Sequence, residues 1–144
     1  QITGKTPSKN FKNQYKEKTN KLNLFTVFLT IEKELHIDNI KKRTIKMLDN
    51  GWIDEVRSLI VLKEKMEIDF PALDSIGYKQ IIDYLNGSIN KDLLIETIVS
   101  KTWQYAKKQI KWFKKENIDL IVDITNLDPS RVSDCIYDIY ESIN

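Results

Sequence analysis

The spacing of apolar positions along the chain predicts a mainly α-helical protein. Apolar residues recur at intervals of three and four in several segments, which is the pattern of helices that bury one face. Gly51 follows the first of these segments and is expected to end its helix. Asp74 or Ser75 is expected to cap a shorter helix further on. The predicted helices are 36–50, 53–65, 76–85, 90–115 and a last one that begins at Asp128-Pro129.

Two short segments have the β-branched and aromatic composition that favours strands. They cover residues 22–30 and 118–125. Two strands so far apart in sequence make a poor sheet alone, so we expect them to be edges of a sheet completed elsewhere. The predicted fold class is therefore mainly α-helical with two or so short strands.

The length of 144 residues suits one domain with a single core. Residues 1–21 are polar and lysine-rich, and they are predicted to form a loop or a weak helix. The first residue is Gln1 rather than methionine, and we interpret the chain as a piece of a longer protein.

Composition argues against several classes of protein. A single cysteine, Cys135, permits no internal disulfide, and a single histidine, His36, argues against a usual zinc cluster and a Ser-His-Asp site. We expect both residues to be structural. The single cysteine suits a reducing, cytoplasmic compartment. No apolar run approaches the ~20 residues of a membrane span, so we expect no membrane partner. The net charge of +2 is too small to indicate a nucleic-acid partner, so the positions of the lysines must decide.

The stretch "TWQYAKKQIKWFKK", residues 102–115, carries the strongest chemical signal. It holds five lysines and no acidic residue. On a helix, lysines and aromatic rings alternate beside the apolar face, so the lysines can neutralise phosphates while exposed rings stack on unpaired bases. The alternative is a solvated helix whose lysines cover its apolar edges. Trp112 borders the apolar face and is expected to be packed, whereas Tyr105 lies nearer the lysines and is expected to stack.

A second candidate is "SIGYKQ", residues 75–80, at the predicted start of a helix. Free backbone N–H groups at such a position favour an anion. The alternative is a plain helix start in which Gly77 permits close packing. Four acidic residues nearby form no paired set by periodicity and are expected to be solvated: Asp54, Glu55, Asp69 and Asp74.

The segment "TGKTPS" near the N-terminus invites comparison with a phosphate-binding loop. Such a loop follows an apolar strand and opens directly into an amphipathic helix. Here no apolar strand precedes the segment, and Pro7 and a run of polar residues follow it. The sequence therefore disfavours a phosphate loop at this position.

Three blocks in this order and spacing resemble the C-terminal part of the tRNA dimethylallyltransferase family: "MLDNGWIDEVRSL", "SIGYKQIIDYLNG" and "TWQYAKKQIKWFKK". "TGKTPS" is similar to the family's T-G-K-P-x-S segment. The resemblance covers residues 2 to about 115. It implies that the chain is the C-terminal portion of a P-loop-type α/β core, with residues 36–115 as a helical region that faces tRNA and residues 118–144 as a strand and helix.

The resemblance also implies a reaction. Such enzymes transfer a dimethylallyl group from dimethylallyl diphosphate to N6 of the adenosine at position 37, on the 3′ side of the anticodon, after that base is flipped out. The family's phosphate loop and catalytic aspartate belong to an N-terminal half that is absent from this sequence. Mg²⁺ is expected to bind with the diphosphate, mainly through that half. We therefore expect a monomeric chain that binds the tRNA anticodon stem-loop, holds no catalytic or metal-ligating residue and is inactive alone.

The family's two tRNA-facing segments carry over to this sequence residue by residue. The residues expected to bind tRNA are Ser75, Ile76, Gly77, Tyr78, Lys79, Tyr105, Lys107, Lys108, Gln109, Lys111, Trp112 and Lys114. Lys33 and Arg43 match basic positions expected near the diphosphate.

Several positions depart from the family pattern. Asn39 stands where an arginine is common, and Lys33 replaces a second arginine, with loss of its bidentate geometry. Trp103 also replaces an arginine. Diphosphate handling is therefore the part of the function most changed, and the alternative interpretation is a non-catalytic RNA-binding helical module. A helical protein-interaction module, with lysines that only aid solubility, is a third interpretation that the motif match disfavours.

Overall fold

The computed structural model describes residues 24–67 and 69–143. The elements in chain order are β1 (Val27–Thr30), α1 (Lys33–Asp49), α2 (Trp52–Met66), a 3₁₀ turn (Pro71–Asp74), α3 (Tyr78–Leu85), α4 (Lys91–Phe113), β2 (Leu120–Asp123) and α5 (Pro129–Ile143). The predicted fold class, mainly helical with two short strands, is confirmed. The predicted N-terminal loop or weak helix and the segment "TGKTPS" lie outside the described residues.

Most helix ends lie where the sequence places them. Gly51 has a φ of +91° and separates α1 from α2, because only glycine adopts this conformation at little cost. The Asn90 side chain accepts a hydrogen bond from the Leu93 N–H at 2.9 Å and caps α4. Asp128 accepts from the Ser130 N–H at 3.0 Å before α5.

The predicted cap of α3 is wrong. Neither Asp74 nor Ser75 reaches the N–H groups of the first turn, because each side chain has another partner. The Asp74 carboxylate pairs with Lys79 at 3.0 Å, and the Ser75 hydroxyl donates to the Ala72 carbonyl at 2.6 Å. The helix begins after Gly77, whose N–H donates to the side-chain oxygen of Gln80 at 2.7 Å.

The core lies where α2, α3 and the first half of α4 meet. Val56, Ile81 and Leu94 are completely buried there. Leu48, Trp52, Leu73 and Ile98 complete the cluster. Helix α4 also packs along α1. The core contains residues of the first half of α4, and the second half extends beyond it.

The two strands are shorter than predicted, and they pair with each other. β1 and β2 are parallel, with Val27 opposite Leu120 and Thr30 opposite Asp123. Among the described residues they form a two-stranded sheet, and its completion by strands elsewhere stays a prediction. The Thr26 N–H donates to Asp119 at 2.7 Å, and the Glu32 N–H donates to Thr125 at 2.8 Å, so side-chain contacts join the strand ends.

The helices within the described residues are all too short or too polar to cross a bilayer.

Candidate nucleic-acid interface

The two segments expected to bind tRNA meet at one cleft of about 540 Å³, which we call the tyrosine cleft. The turn before α3 forms one wall, the middle of α4 forms the other, and α1 with the start of α2 lines the remainder. The cleft is open to solvent, as a docking site for an exposed base requires. The residues that line it are Ile40, Arg43, Thr44, Met47, Trp52, Ser75, Ile76, Tyr78, Ile98, Thr102 and Tyr105.

Gly77 shapes the first wall by close packing. It is buried and has a φ of +96°, and a Cβ built on it would overlap Cη2 and Cζ2 of Trp52. The Trp52 ring also meets the Tyr78 ring edge-on, with centroids 5.8 Å apart. The N–H of Gly77 is already bonded to Gln80, so it is not available to an anion. The close-packing interpretation of this glycine is the one that the geometry supports.

Tyr78 is fixed by an acidic residue far away in sequence. Its hydroxyl donates to Glu55 of α2 at 2.7 Å. This hydrogen bond, followed by partial burial, raises the pKa of the Tyr78 phenol. The phenol therefore remains a protonated donor at neutral pH.

The second half of α4 and the two residues that follow it carry an exposed basic face. Its lysines are Lys101, Lys107, Lys108, Lys111, Lys114 and Lys115. Within the part of the chain that the structure describes, none of these lysines lies within 4.0 Å of a carboxylate. The face therefore offers positive charge that its own chain does not neutralise.

Two exposed rings continue from the cleft along this helix. Tyr105 is 55% exposed and borders both the tyrosine cleft and a shallow hollow of about 360 Å³ beside it. Trp112 lines the same hollow and is 58% exposed. The prediction that Trp112 is packed is therefore wrong. Among the described residues, its ring meets that of its neighbour Phe113 edge-on, with centroids 4.8 Å apart.

Other predicted site residues lie apart from the tyrosine cleft. Lys79 pairs with Asp74 and lines a different hollow between α2 and α3. Gln109 and Lys114 border a cavity of about 470 Å³ beside the end of β1.

The two cations expected near the diphosphate do not share a cavity. Lys33 lines the cavity beside β1, whereas Arg43 lines the tyrosine cleft. The structure therefore brings Arg43, but not Lys33, to the tyrosine-lined wall. His36, expected to be structural, lies edge-on to Trp103 at 5.5 Å between centroids.

The sequence pattern assigns no role in the site to Trp52 and Glu55, which the structure places behind Tyr78. Their spacing of three on α2 puts them on one helix face. No local pattern, however, connects them with a residue more than twenty positions later. The other acidic residues expected to be solvated are exposed, but each pairs with a cation: Asp54 with Arg57, Asp69 with Lys63 and Asp74 with Lys79.

A metal site does not arise from the described side chains, since no three His, Cys, Asp or Glu residues among them cluster in a suitable way. The Mg²⁺ that the resemblance implies is expected to bind mainly through residues outside this sequence, and its binding stays a prediction.

Comparison with known families matches most of this chain to a family. The model of the IPP transferase family matches residues 1–116, which include both walls of the tyrosine cleft. This chain belongs to the IPP transferase family. The predicted family is therefore confirmed.

Two relatives in this family are named tRNA dimethylallyltransferase. The protein of Coprothermobacter proteolyticus is 33% identical over 128 residues, which cover 86% of this chain and 40% of the relative. The protein of Halalkalibacterium halodurans is 31% identical over 127 residues, which cover 88% of this chain and 39% of the relative. The chain thus spans about 40% of the length of these curated relatives.

Two solved structures of IPP transferases share the fold. The full-length tRNA isopentenylpyrophosphate transferase from Bacillus halodurans superposes with a TM-score of 0.69 at 29% identity, over 90% of this chain and 41% of that one. The tRNA delta(2)-isopentenylpyrophosphate transferase from Staphylococcus epidermidis gives a TM-score of 0.71 at 25% identity, over 99% of this chain and 45% of that one.

Proposed function

We propose that this chain is the tRNA-binding part of a tRNA dimethylallyltransferase. The enzyme would transfer a dimethylallyl group from dimethylallyl diphosphate to N6 of the adenosine at position 37 of tRNA. The names of the relatives support the reaction, and the meeting of two tRNA-facing segments at one cleft supports the role of this chain. We place the enzyme in the cytoplasm as a monomer.

The observation that carries the proposal is the unneutralised basic face of α4 beside the tyrosine cleft. Lys107, Lys111 and Lys114 follow one another at spacings of four and three, so they lie along one side of the helix. Like charges at these spacings destabilise a helix by ~0.2–0.5 kcal/mol per pair. Phosphates bound along this side would remove that repulsion, which a merely solvated helix avoids by mixing charge signs.

The rings give the surface a second mode of contact. Tyr105 and Trp112 are exposed beside the lysines, and base stacking on such rings contributes ~1–3 kcal/mol per base in known complexes. Unpaired bases occur in loops rather than in the stem of a folded RNA. The combination of phosphate-neutralising lysines and exposed rings therefore favours the anticodon stem-loop, where a helical segment meets a loop.

The proposal is tested by the salt dependence of tRNA binding. Lys107→Ala with Lys108→Ala should weaken binding and reduce the slope of log affinity against log salt concentration. Each lost phosphate contact should reduce the slope by about 0.9 on helical RNA or about 0.7 on a single strand. Filter binding across a salt series measures this slope.

The matched control is Lys65→Ala with Lys91→Ala, which removes the same charge from exposed positions elsewhere. Lys91 lies about 24 Å from Lys107 along α4 at 1.5 Å per residue. This control should leave the slope close to that of the unmodified chain. Equal slopes for all three proteins would show that Lys107 and Lys108 contact no phosphate and would overturn the proposal.

A further inference from the structure

Tyr78 is held by two residues of α2, Trp52 and Glu55. The Glu55 carboxylate accepts its hydroxyl hydrogen at 2.7 Å, and the Trp52 ring lies edge-on to it with an interplanar angle of 80°. Gly77, the preceding residue, packs directly on the same indole. The orientation of Tyr78 is thus set before any ligand arrives.

The hydrogen bond decides which part of Tyr78 a ligand meets. The hydroxyl is directed to Glu55 of α2, so the ring itself is left to line the tyrosine cleft. Hydrogen bonds from a hydroxyl to an ionised carboxylate are short and stronger than those between neutral groups. A base that enters the cleft therefore meets an apolar ring in a fixed orientation rather than a free hydroxyl.

The position of Glu55 should weaken RNA binding unless this residue contributes to binding in another way. It is an exposed carboxylate behind a wall that, on the proposed function, faces RNA phosphates. Like charges repel, so a carboxylate near a polyanion site lowers affinity unless it contributes in another way. Holding Tyr78 in one orientation is such a contribution, because less side-chain conformational freedom is then lost on binding.

We propose that Glu55 is a positioning residue for RNA recognition, which holds Tyr78 in the wall of the tyrosine cleft for contact with an unpaired base. This inference rests on the proposed function. Glu55 acts through Tyr78 and makes no contact with the RNA itself. Trp52 contacts the same ring edge-on, and Gly77 packs on Trp52 in turn.

The test compares four variants in binding to an RNA copy of the anticodon stem-loop: Glu55→Ala, Glu55→Gln, Tyr78→Phe and the double variant Glu55→Ala with Tyr78→Phe. Loss of a pre-ordered side chain should raise Kd by about two- to tenfold in Glu55→Ala and in Tyr78→Phe. The double variant should be no weaker than the weaker single one, because both changes remove the same hydrogen bond. Glu55→Gln retains an acceptor and should bind nearly as well as the unmodified chain.

The slope of log affinity against log salt concentration distinguishes the positioning of Tyr78 from a direct effect of charge on RNA binding. It should be unchanged in all four variants, because neither side chain neutralises a phosphate. Asp54→Ala, which removes an exposed carboxylate one residue away, is the matched control and should leave Kd unchanged. Tighter binding by both Glu55→Ala and Glu55→Gln would show that Glu55 only repels RNA, and would overturn the inference.

Folding is monitored by circular dichroism, and binding is measured at a temperature where every variant is folded. A purely structural role would lower the unfolding midpoint of Glu55→Ala and leave Kd unchanged at that temperature, which also overturns the inference. If the unmodified chain binds RNA with a lysine-dependent salt slope while Glu55→Ala binds equally well, the proposed function stands and only the inference fails.

Discussion

At the scale of single residues, Trp112 shows the limit of helical periodicity. It lies about five full turns after Leu94, so the two residues point in nearly the same direction from α4. Leu94 is completely buried, whereas Trp112 is 58% exposed. The periodicity places both on one face, but the core that covers this face ends before the second half of the helix. The Trp112 ring points in the same direction as the core residues of α4 but is exposed, so it is available to a partner.

We expect Trp112→Ala to weaken RNA binding without loss of stability. If the ring stacks on a base, the change should cost ~1–3 kcal/mol of binding free energy. The free energy of unfolding should change by far less than the ~3–5 kcal/mol that a buried tryptophan contributes. Filter binding and urea unfolding of the same preparation measure the two quantities.

Trp103 provides the comparison on the same helix. It is half-buried against His36, so Trp103→Ala should lower stability more than Trp112→Ala does. A Trp112→Ala protein that binds RNA like the unmodified chain would contradict the stacking role, whatever its stability.

At the scale of elements, the junction of α2 and α3 depends on contacts that the sequence does not reveal. The glycine at position 77 and a following helix are both visible in "SIGYKQ". The partner of Gly77, however, is Trp52 on the preceding helix, and the local cap that Asp74 or Ser75 offers is not used. Local capping rules predict Gly51 and Asp128 correctly, because the partners of those residues lie within one turn.

We expect Gly77→Ala to lower the free energy of unfolding by more than ~2 kcal/mol. A left-handed conformation costs an L-residue ~1–2 kcal/mol, and the new Cβ would also overlap the Trp52 ring. In a Trp52→Leu background the overlap is removed. Gly77→Ala should then lower the free energy of unfolding only by the cost of the left-handed backbone conformation. Urea unfolding of the four proteins in this cycle measures the coupling.

The unmodified chain and the Trp52→Leu chain must both unfold cooperatively for this comparison. Equal costs of Gly77→Ala in the two backgrounds would mean that the ring moves away from the new methyl group. The close packing of Gly77 would then not be what requires a glycine at this position.

The strand pair illustrates the same difference between local and distant information. Composition predicts both strands, although each is shorter than expected because pairing covers only Val27–Thr30 and Leu120–Asp123. Nothing in either segment specifies the parallel register. The Thr125 hydroxyl contributes by donating to Asp123 at 2.5 Å and accepting from the Glu32 N–H, so it connects the end of β2 with the start of α1.

At the scale of the whole molecule, the order of the family blocks carried more information than periodicity did. Blocks far apart in sequence form the two walls of the tyrosine cleft. The resemblance identifies both blocks, although periodicity does not indicate that they meet. It did not separate Lys33 from Arg43, because spacing along α1 does not reveal which cavity each side chain borders. Since the chain spans about 40% of the length of these relatives, the proposed function implies that binding and chemistry are separable.

We therefore expect the 144-residue chain to bind tRNA and to transfer no dimethylallyl group. The basic face and the tyrosine cleft supply binding, whereas the phosphate loop and aspartate that the resemblance assigns to the chemistry match no position of this sequence. The chain is incubated with substrate tRNA, dimethylallyl diphosphate and Mg²⁺, and the adenosine at position 37 is examined by mass spectrometry. The tRNA dimethylallyltransferase of Coprothermobacter proteolyticus, with the same tRNA, is the positive control. A dimethylallyl adduct formed by this chain alone would contradict the assignment of the chemistry to residues outside it.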